Sequence, residues 1–239
     1  MLNNHSDGQS FLGNVRRRIF LVDDHELLRM GLAQLISTRQ GWEVCGQAAE
    51  GPTALEQIRH LLPDLAIVDL RLQSGDGLEL VRQIRSSASS VRVLVFSQHE
   101  EDLYAERCLK AGAHGYVSKQ APVPSVISAI ECVADGKVFL SSRMTDRVLS
   151  RQTGSSDEKR SHLESLSDRE LEVFERLGRG KSVKEIANEL HLSAKTVEYH
   201  RQHIKEKLRI PTSTAVVRLA TAYSLGVAPS AFYGPDSGA

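Results

Sequence analysis

The chain has 239 residues, 41% hydrophobic and 25% charged, with 30 basic and 30 acidic side chains. At about 100–150 residues per domain this length predicts two domains, and the ordinary apolar fraction excludes wholesale disorder. Zero net charge removes the global basicity that would announce nucleic acid, and no stretch approaches the roughly 18–20 consecutive apolar residues of a membrane span, so no membrane partner is expected.

Met1–Gly13 is polar, and the apolar run after the Arg16–Arg18 cluster meets Asp23 and Asp24 at once, unlike a secretory signal. Cys45, Cys108 and Cys132 are an odd, scattered set with no CxxC. They exclude a disulfide scaffold and a zinc finger and fit a cytoplasmic location. Charge is uneven along the chain. From Arg151 onward 14 basic residues face 12 acidic ones, and within Ala194–Arg209 five basic residues face Glu198 and Glu206. A local basic helix suits a nucleic-acid groove.

Ile19–Val22 reads as a short strand closed by two aspartates. A helix follows with Leu27, Leu28, Gly31, Leu32, Leu35 and Ile36 at spacings of three and four. Trp42–Ala48 is strand-like, and Gly51–Pro52 opens a helix through Leu55, Ile58 and Leu62. Leu65–Val68 is a buried strand closed by Asp69, Leu78–Ile84 a helix, Val91–Phe96 a strand and Asp102–Ala111 a helix. Gly115–Val117 is a short strand and Val126–Val133 the last helix of the series. Five strand–helix alternations predict a doubly wound, five-stranded parallel sheet with helices on both faces, its reactive groups at the carboxyl ends of the strands.

Gln152–Ser161 is polar and aperiodic and reads as linker. Beyond it the period is helical throughout. Ser167 with Glu170 forms a capping box for a helix carrying Leu171, Phe174 and Leu177, which ends near Gly178–Gly180. A second helix holds Val183, Ile186, Ala187 and Leu190; Ser193 caps a third, with Val197, Ile204 and Leu208 inward. A fourth, capped near Thr212 and stopping at Gly226, carries Ala215, Val216, Leu219, Ala220 and Tyr223, either as a dimer seam or as packing on its own domain. The expected organisation is a tail over 1–15, an α/β domain over 16–140, a linker over 141–164, a small all-α helix-turn-helix domain over 165–228 and a tail over 229–239.

Asp23, Asp24 and Asp69 all close strands, and such a sheet gathers them within a few ångströms. Carboxylates so close repel unless a cation neutralises them, and oxygen-only ligands suit Mg2+. Such an ion also screens an incoming phosphoryl group. Ser97 and Lys119, at the ends of the next two strands, can supply a hydroxyl donor and a positive charge. Together the five make a phosphoryl-acceptor set.

The segments VDDHELLRMGL, VDLRLQSGDGLEL, VLVFSQHE and GYVSK strongly resemble the flavodoxin-like receiver domain of bacterial two-component response regulators, over about Arg16 to Leu140. The resemblance implies phosphorylation on Asp69. It implies Mg2+ held by Asp24 and Asp69 directly, by Asp23 through water, and by the backbone carbonyl of Arg71. Ser97 and Lys119 match the family's switch hydroxyl and conserved lysine. Tyr116 matches its rotating aromatic, expected to swing inward as Ser97 moves toward phosphate; a partly buried core aromatic is the alternative. Leu72 and Gln73 stand where the family carries Met-Pro.

The segment LSDRELEVFERLGRGKSVKEIANELHLSAKTVEYHRQHIKEKL strongly resembles the LuxR-type helix-turn-helix, and the whole architecture resembles the NarL/FixJ class of response regulators. The residues themselves agree. Lys195, Glu198, Tyr199 and Gln202 share one face of the third helix, turned away from its buried stripe. Lys195, Arg201, Lys205 and Lys207 suit phosphates, and Ser193 and Thr196 can add neutral phosphate contacts. Gln202 can pair with adenine, Glu198 can accept from cytosine, and Tyr199 can pack on a thymine methyl. His200 either reaches a phosphate or packs internally.

The expected function is a phosphorelay response regulator in which Asp69 phosphorylation controls sequence-specific binding to double-stranded DNA and transcription. A homodimer is expected because one such domain reads few base pairs. The expected partners are a cognate histidine kinase and RNA polymerase. One alternative is a phosphate-independent DNA-binding regulator whose receiver serves docking or dimerisation. Another is a Mg2+-dependent phosphohydrolase, against which Arg71 stands where that chemistry wants a second aspartate. The chain is therefore not expected to be an enzyme beyond self-catalysed phosphoryl transfer at Asp69.

Overall fold

The computed structural model of the chain describes residues 16–72, 76–99, 101–146, 163 and 165–225. The expected tails over 1–15 and 229–239, most of the linker, Gln73 and Gly226 lie outside these residues. Two compact units divide the chain, Met1–Leu149 and Ser150–Ala239.

In the first unit the elements run β1 (Arg17–Val22), α1 (Glu26–Ser37), β2 (Trp42–Ala48), α2 (Gly51–Leu61), β3 (Leu65–Val68), α3 (Gly77–Ser87), β4 (Arg92–Ser97), α4 (Glu101–Ala111), β5 (Gly115–Ser118) and α5 (Val123–Ala134). All strand pairs are parallel, in the order β2-β1-β3-β4-β5. Central strands are buried over almost their whole length, as a sheet covered on both faces requires. Alternation places Ile19, Leu21, Ile67, Leu94 and Phe96 in one core with Leu32 and Ile36 of α1 and Val126, Ile130 and Val133 of α5. Phe20, Ala66, Val68 and Val95 turn to the other face, toward α2, α3 and α4.

Two apolar residues expected inside lie outside. Leu27 is 85% exposed, because the buried stripe of α1 runs through Leu28, Leu32 and Ile36, and Leu27 sits a third of a turn away. Leu62 does not extend α2. It takes the left-handed cap position at φ 46° and is half exposed, and Leu61 ends the helix.

The chain beyond α5 returns to the sheet. Phe139 bridges to Gly115 beside β5, donating to His114 O and accepting from Tyr116 N–H, each at 3.0 Å. Ser141 N–H donates to Glu101 Oε1 at 3.0 Å, Arg143 pairs with Asp102 of α4, and Met144 is fully buried. Residues 141–146, at the start of the expected linker, are thereby tied to α4 and β5.

The second unit consists of α6 (Asp168–Gly178), α7 (Val183–Glu189), α8 (Ala194–Lys207) and α9 (Ser213–Ser224). Each helix starts at a hydroxyl cap: Ser167, Ser182, Ser193 and Thr212 all accept from backbone N–H groups. Capping boxes close at Ser167/Glu170 and at Ser182/Glu185. Leu171, Phe174 and Leu177 meet Ile186, Val197, Ile204 and Leu208 in the core. Val216, Leu219 and Ala220 are buried in this same unit, so that part of the apolar stripe of α9 packs on its own domain, while Ala215 and Tyr223 are only partly buried.

Helices α6 and α9 cross at Gly178, where a Cβ would lie 2.4 Å from Ala220 O. Backbone cannot yield cheaply at that distance. Gly178→Ala is expected to lower the second unit's stability by about 1–3 kcal/mol, read as a lowered transition in calorimetry of the full chain.

Candidate functional site

The connections from β1 to β2 and from β2 to β3 leave β1 flanked on opposite sides, which opens a crevice at the carboxyl ends of β1 and β3. Asp23 and Asp24 follow β1 and Asp69 follows β3, so the crevice is acidic. Asp23 N–H donates to Ala48 O at 3.2 Å and Asp69 N–H to Val22 O at 2.8 Å, which fixes both strand ends. Asp23 and Asp69 are buried, at 3% and 2% exposure.

Lys119, just beyond β5, reaches in from the side. Its Nζ lies 2.6 Å from Asp69 Oδ2 and 2.6 Å from Asp23 Oδ2. Its N–H donates to the carbonyl of Ser97, the fully buried last residue of β4, at 2.9 Å. Asp69 Oδ1 is buried with no hydrogen-bond partner among the described residues. Burial pushes the Asp69 carboxyl up from its ordinary pKa and Asp23 adds to this, outweighing the opposing pull of Lys119 and the Arg71 N–H.

Two residues not singled out in the sequence complete the pocket. His25 Nδ1 lies 2.7 Å from Asp24 Oδ1, and its N–H donates to Asp23 Oδ1 at 2.8 Å. Oxygen or nitrogen atoms of Asp23, Asp24, His25 and Asp69 lie within 4.8 Å of one another. Gly77 opens α3 against the acceptor loop, where a Cβ would stand 2.2 Å from Asp69 O. The glycine between cap residue Asp76 and the apolar run of α3 was the available signal for that close approach. Three carboxylates against one ammonium, with an orphaned buried oxygen among them, fit a hard divalent cation.

Tyr116 is fully buried on β5, and its hydroxyl donates to His99 O at 2.8 Å. The structure therefore places it inward, beneath the β4–α4 loop. His99 is itself buried, stacks on Tyr104 at 4.4 Å, and donates its N–H to Ser97 Oγ at 3.3 Å. Ser97 and Tyr116 hold the same short loop from two sides.

In the second unit, α8 turns Lys195, Glu198, Tyr199 and Gln202 outward, with Tyr199 58% exposed. Ser193 caps the helix through Thr196 N–H at 3.0 Å, and the two hydroxyls lie 2.8 Å apart. Arg201 pairs with Glu198 at 2.9 Å, and Gln202 donates to Glu206 at 2.8 Å. His200 is partly buried toward α6; burial first, then Arg169 and His203, lower its pKa against the pull of Glu170 and Glu172. That favours internal packing over a phosphate contact. Lys207 pairs internally too, at 2.7 Å from the buried Glu170. Lys195 and Lys205 have no ion pair among the described residues.

Residues 19–131 match the family described as response regulator receiver domain, and residues 164–220 match bacterial regulatory proteins of the luxR family. The chain is 34% identical to the transcriptional regulatory protein LiaR of Bacillus subtilis, over 82% of this chain and 93% of that protein. This chain belongs to the LuxR-type response regulators.

The response regulator UvrY of Escherichia coli is 32% identical over 87% of this chain and 94% of its own. Among solved structures, a LuxR-family two-component response regulator from Aurantimonas shares 33% identity, covering 58% of this chain and 99% of that one with a TM-score of 0.54. RcsB of Salmonella enterica, solved on a promoter with beryllofluoride, covers 87% of this chain and 99% of its own at 21% identity, with a TM-score of 0.61, and shares the fold. The family consists of DNA-binding regulators and not of classical enzymes, in keeping with Arg71 two residues after Asp69. No helix among the described residues is long and apolar enough to cross a membrane.

Two titrations follow in this response regulator. A carboxylate raised by burial holds extra protons in the folded state, so its stability contribution falls as pH rises through the window above its ordinary pKa. Asp69→Asn is therefore expected to raise the melting temperature of chelator-treated protein at neutral pH, measured by calorimetry. For Glu170 burial pushes upward, but hydrogen bonds from Lys207 and Ser167 outweigh it and the pKa is lowered. That stabilisation is complete above the ordinary carboxylate pKa of about 4.3 and is lost as pH falls through the lowered value. Melting of the second unit is expected to drop in that acid window, and less so in Glu170→Gln.

Proposed function

We propose that Asp69 accepts a phosphoryl group from a histidine kinase and that this event controls how α8 engages double-stranded DNA. The supporting observation is the crevice at Asp69: a buried carboxylate with one oxygen unpartnered and the other on Lys119, ringed by Asp23 and Asp24. In the transfer, a carboxylate oxygen of Asp69 forms a bond to phosphorus as the P–N bond of a phosphohistidine breaks, and the departing imidazole takes up a proton. Asp23, Asp24, Asp69 and the carbonyl of Arg71 would hold Mg2+, which screens charge between the carboxylates and the arriving phosphoryl oxygens. Lys119 stays beside Asp69 and can turn its ammonium from the carboxylate to a phosphoryl oxygen. Ser97 can donate its hydroxyl to another, shifting the contact it now makes with His99 N–H.

The consequence reaches the output face through Tyr116. Its hydroxyl holds the His99 carbonyl, and its backbone N–H holds Phe139, the residue leading to the Asp102–Arg143 tie. A loop drawn toward phosphate therefore pulls on α4, β5 and residues 139–146 together.

On DNA, Lys195 and Lys205 are the phosphate-contacting cations, while Tyr199, Glu198 and Gln202 face the bases. A homodimer on a roughly two-fold site supplies the length of sequence that one helix cannot read, and it acts in the cytoplasm on RNA polymerase at the promoter. Selection from random duplexes with and without beryllofluoride is the direct test. Wild type is expected to enrich a motif with the mimic and Asp69→Asn to lose that dependence; equal enrichment by both would favour phosphate-independent control. Lys195→Ala and Lys205→Ala are each expected to reduce the slope of log affinity against log salt by about one.

A further inference from the structure

Along one side of α8, Tyr199, His203 and Lys207 follow one another at spacings of four, one turn apart. Lys207 grips a residue on another helix, and His203 lies beside that same residue. Glu170, the third residue of α6, is 3% exposed. Its Oε2 accepts from Lys207 Nζ at 2.7 Å and from Ser167 N–H at 2.7 Å, and its Oε1 lies 3.6 Å from His203 Nδ1. His203 in turn lies against Tyr199, with ring centroids 4.0 Å apart and planes at 46°. Tyr199 is the most exposed aromatic among the described residues.

An exposed tyrosine on a helix has free side-chain torsions, and a base-reading group needs one orientation before contact. The capping box accounts for the bond from Ser167 N–H, but it does not require the same oxygen to meet an ammonium from another helix, which adds the desolvation of a second charge. What the Glu170 charge adds is register: it ties α8 to α6 through Lys207 and lies within 3.6 Å of His203 one turn earlier. We infer that Glu170 is a positioning residue for base recognition, holding His203 so that His203 holds the Tyr199 ring toward DNA, with Lys207 anchoring the last turn of the helix. This rests on α8 being the DNA-reading helix.

The same geometry makes Lys207 a structural cation and not a phosphate contact. Its ammonium is engaged by Glu170, so its removal changes helix placement without removing a charge from the DNA interface.

The test uses the full chain with beryllofluoride, the duplex it selects, and every single-base-pair variant of that duplex. Tyr199→Ala identifies the position whose discrimination depends on the ring. Glu170→Gln, which keeps an oxygen for the Ser167 cap, and His203→Ala, at a half-exposed site, are each expected to lose about tenfold discrimination at that position. Discrimination elsewhere should hold, and Tyr199→Ala with His203→Ala together should lose no more than either alone. Lys207→Gln is expected to leave the salt slope unchanged. Uniform weakening across all duplexes, an intact Tyr199 position in His203→Ala, or a slope lowered by about one in Lys207→Gln would each overturn the inference. A wild-type chain that selects no motif would instead bring down the DNA-reading assignment, and this inference with it.

Discussion

The ammonium of Lys119 lies 2.6 Å from carboxylates on two different strand ends, and the crevice is organised around that sharing. One positive charge stands among three negative ones, in a place where Asp23 and Asp69 are almost wholly removed from water. Such an imbalance is costly in low dielectric, and a cation beside the carboxylates would relieve it. The doubly wound sheet makes this placement economical in chain length. Asp23 with Asp24, Asp69, Ser97 and Lys119 come from four separate segments, yet each needs only to lie at or just past the end of its strand to arrive at the crevice.

Very few atoms connect the crevice to the neighbouring elements of the unit. Ser97 accepts from His99 N–H, the His99 carbonyl accepts from the Tyr116 hydroxyl, and the Tyr116 backbone N–H donates to the carbonyl of Phe139. Beyond Phe139, Ser141 and Arg143 are tied to the first two residues of α4. Around the β4–α4 loop, His99 is buried and Ser141, Arg143 and Met144 are hydrogen-bonded or buried. The segment that continues toward the second unit thus starts from α4 and β5, which flank that loop.

What the sequence discloses depends on whether a residue's role is set locally. The strand-end aspartates, the hydroxyl caps and the capping box at Ser167 are set within a few residues, and pattern alone finds them. Leu27 and Leu62 look like their buried neighbours, and only the rotation of α1 and the left-handed end of α2 put them in solvent. Gly77 and His25 matter through approach to atoms distant in sequence or across a turn, which periodicity does not register. The apolar stripe of α9 is compatible with a partner or with its own domain, and the close crossing at Gly178 shows that Val216, Leu219 and Ala220 serve the domain.

Charge on α8 shows the same distinction at its sharpest. Read as a string, Lys195, Arg201, Lys205 and Lys207 are four equivalent cations suited to phosphates. In the fold they divide: Arg201 meets Glu198 on its own helix, Lys207 meets Glu170 from α6, and Lys195 and Lys205 stand without ion pairs among the described residues. The net positive charge counted along the helix therefore overstates what it can offer to DNA. Of the paired cations only Lys207 ties α8 to another helix, and phosphate contact and helix placement are separate demands that a charge count along the sequence adds together.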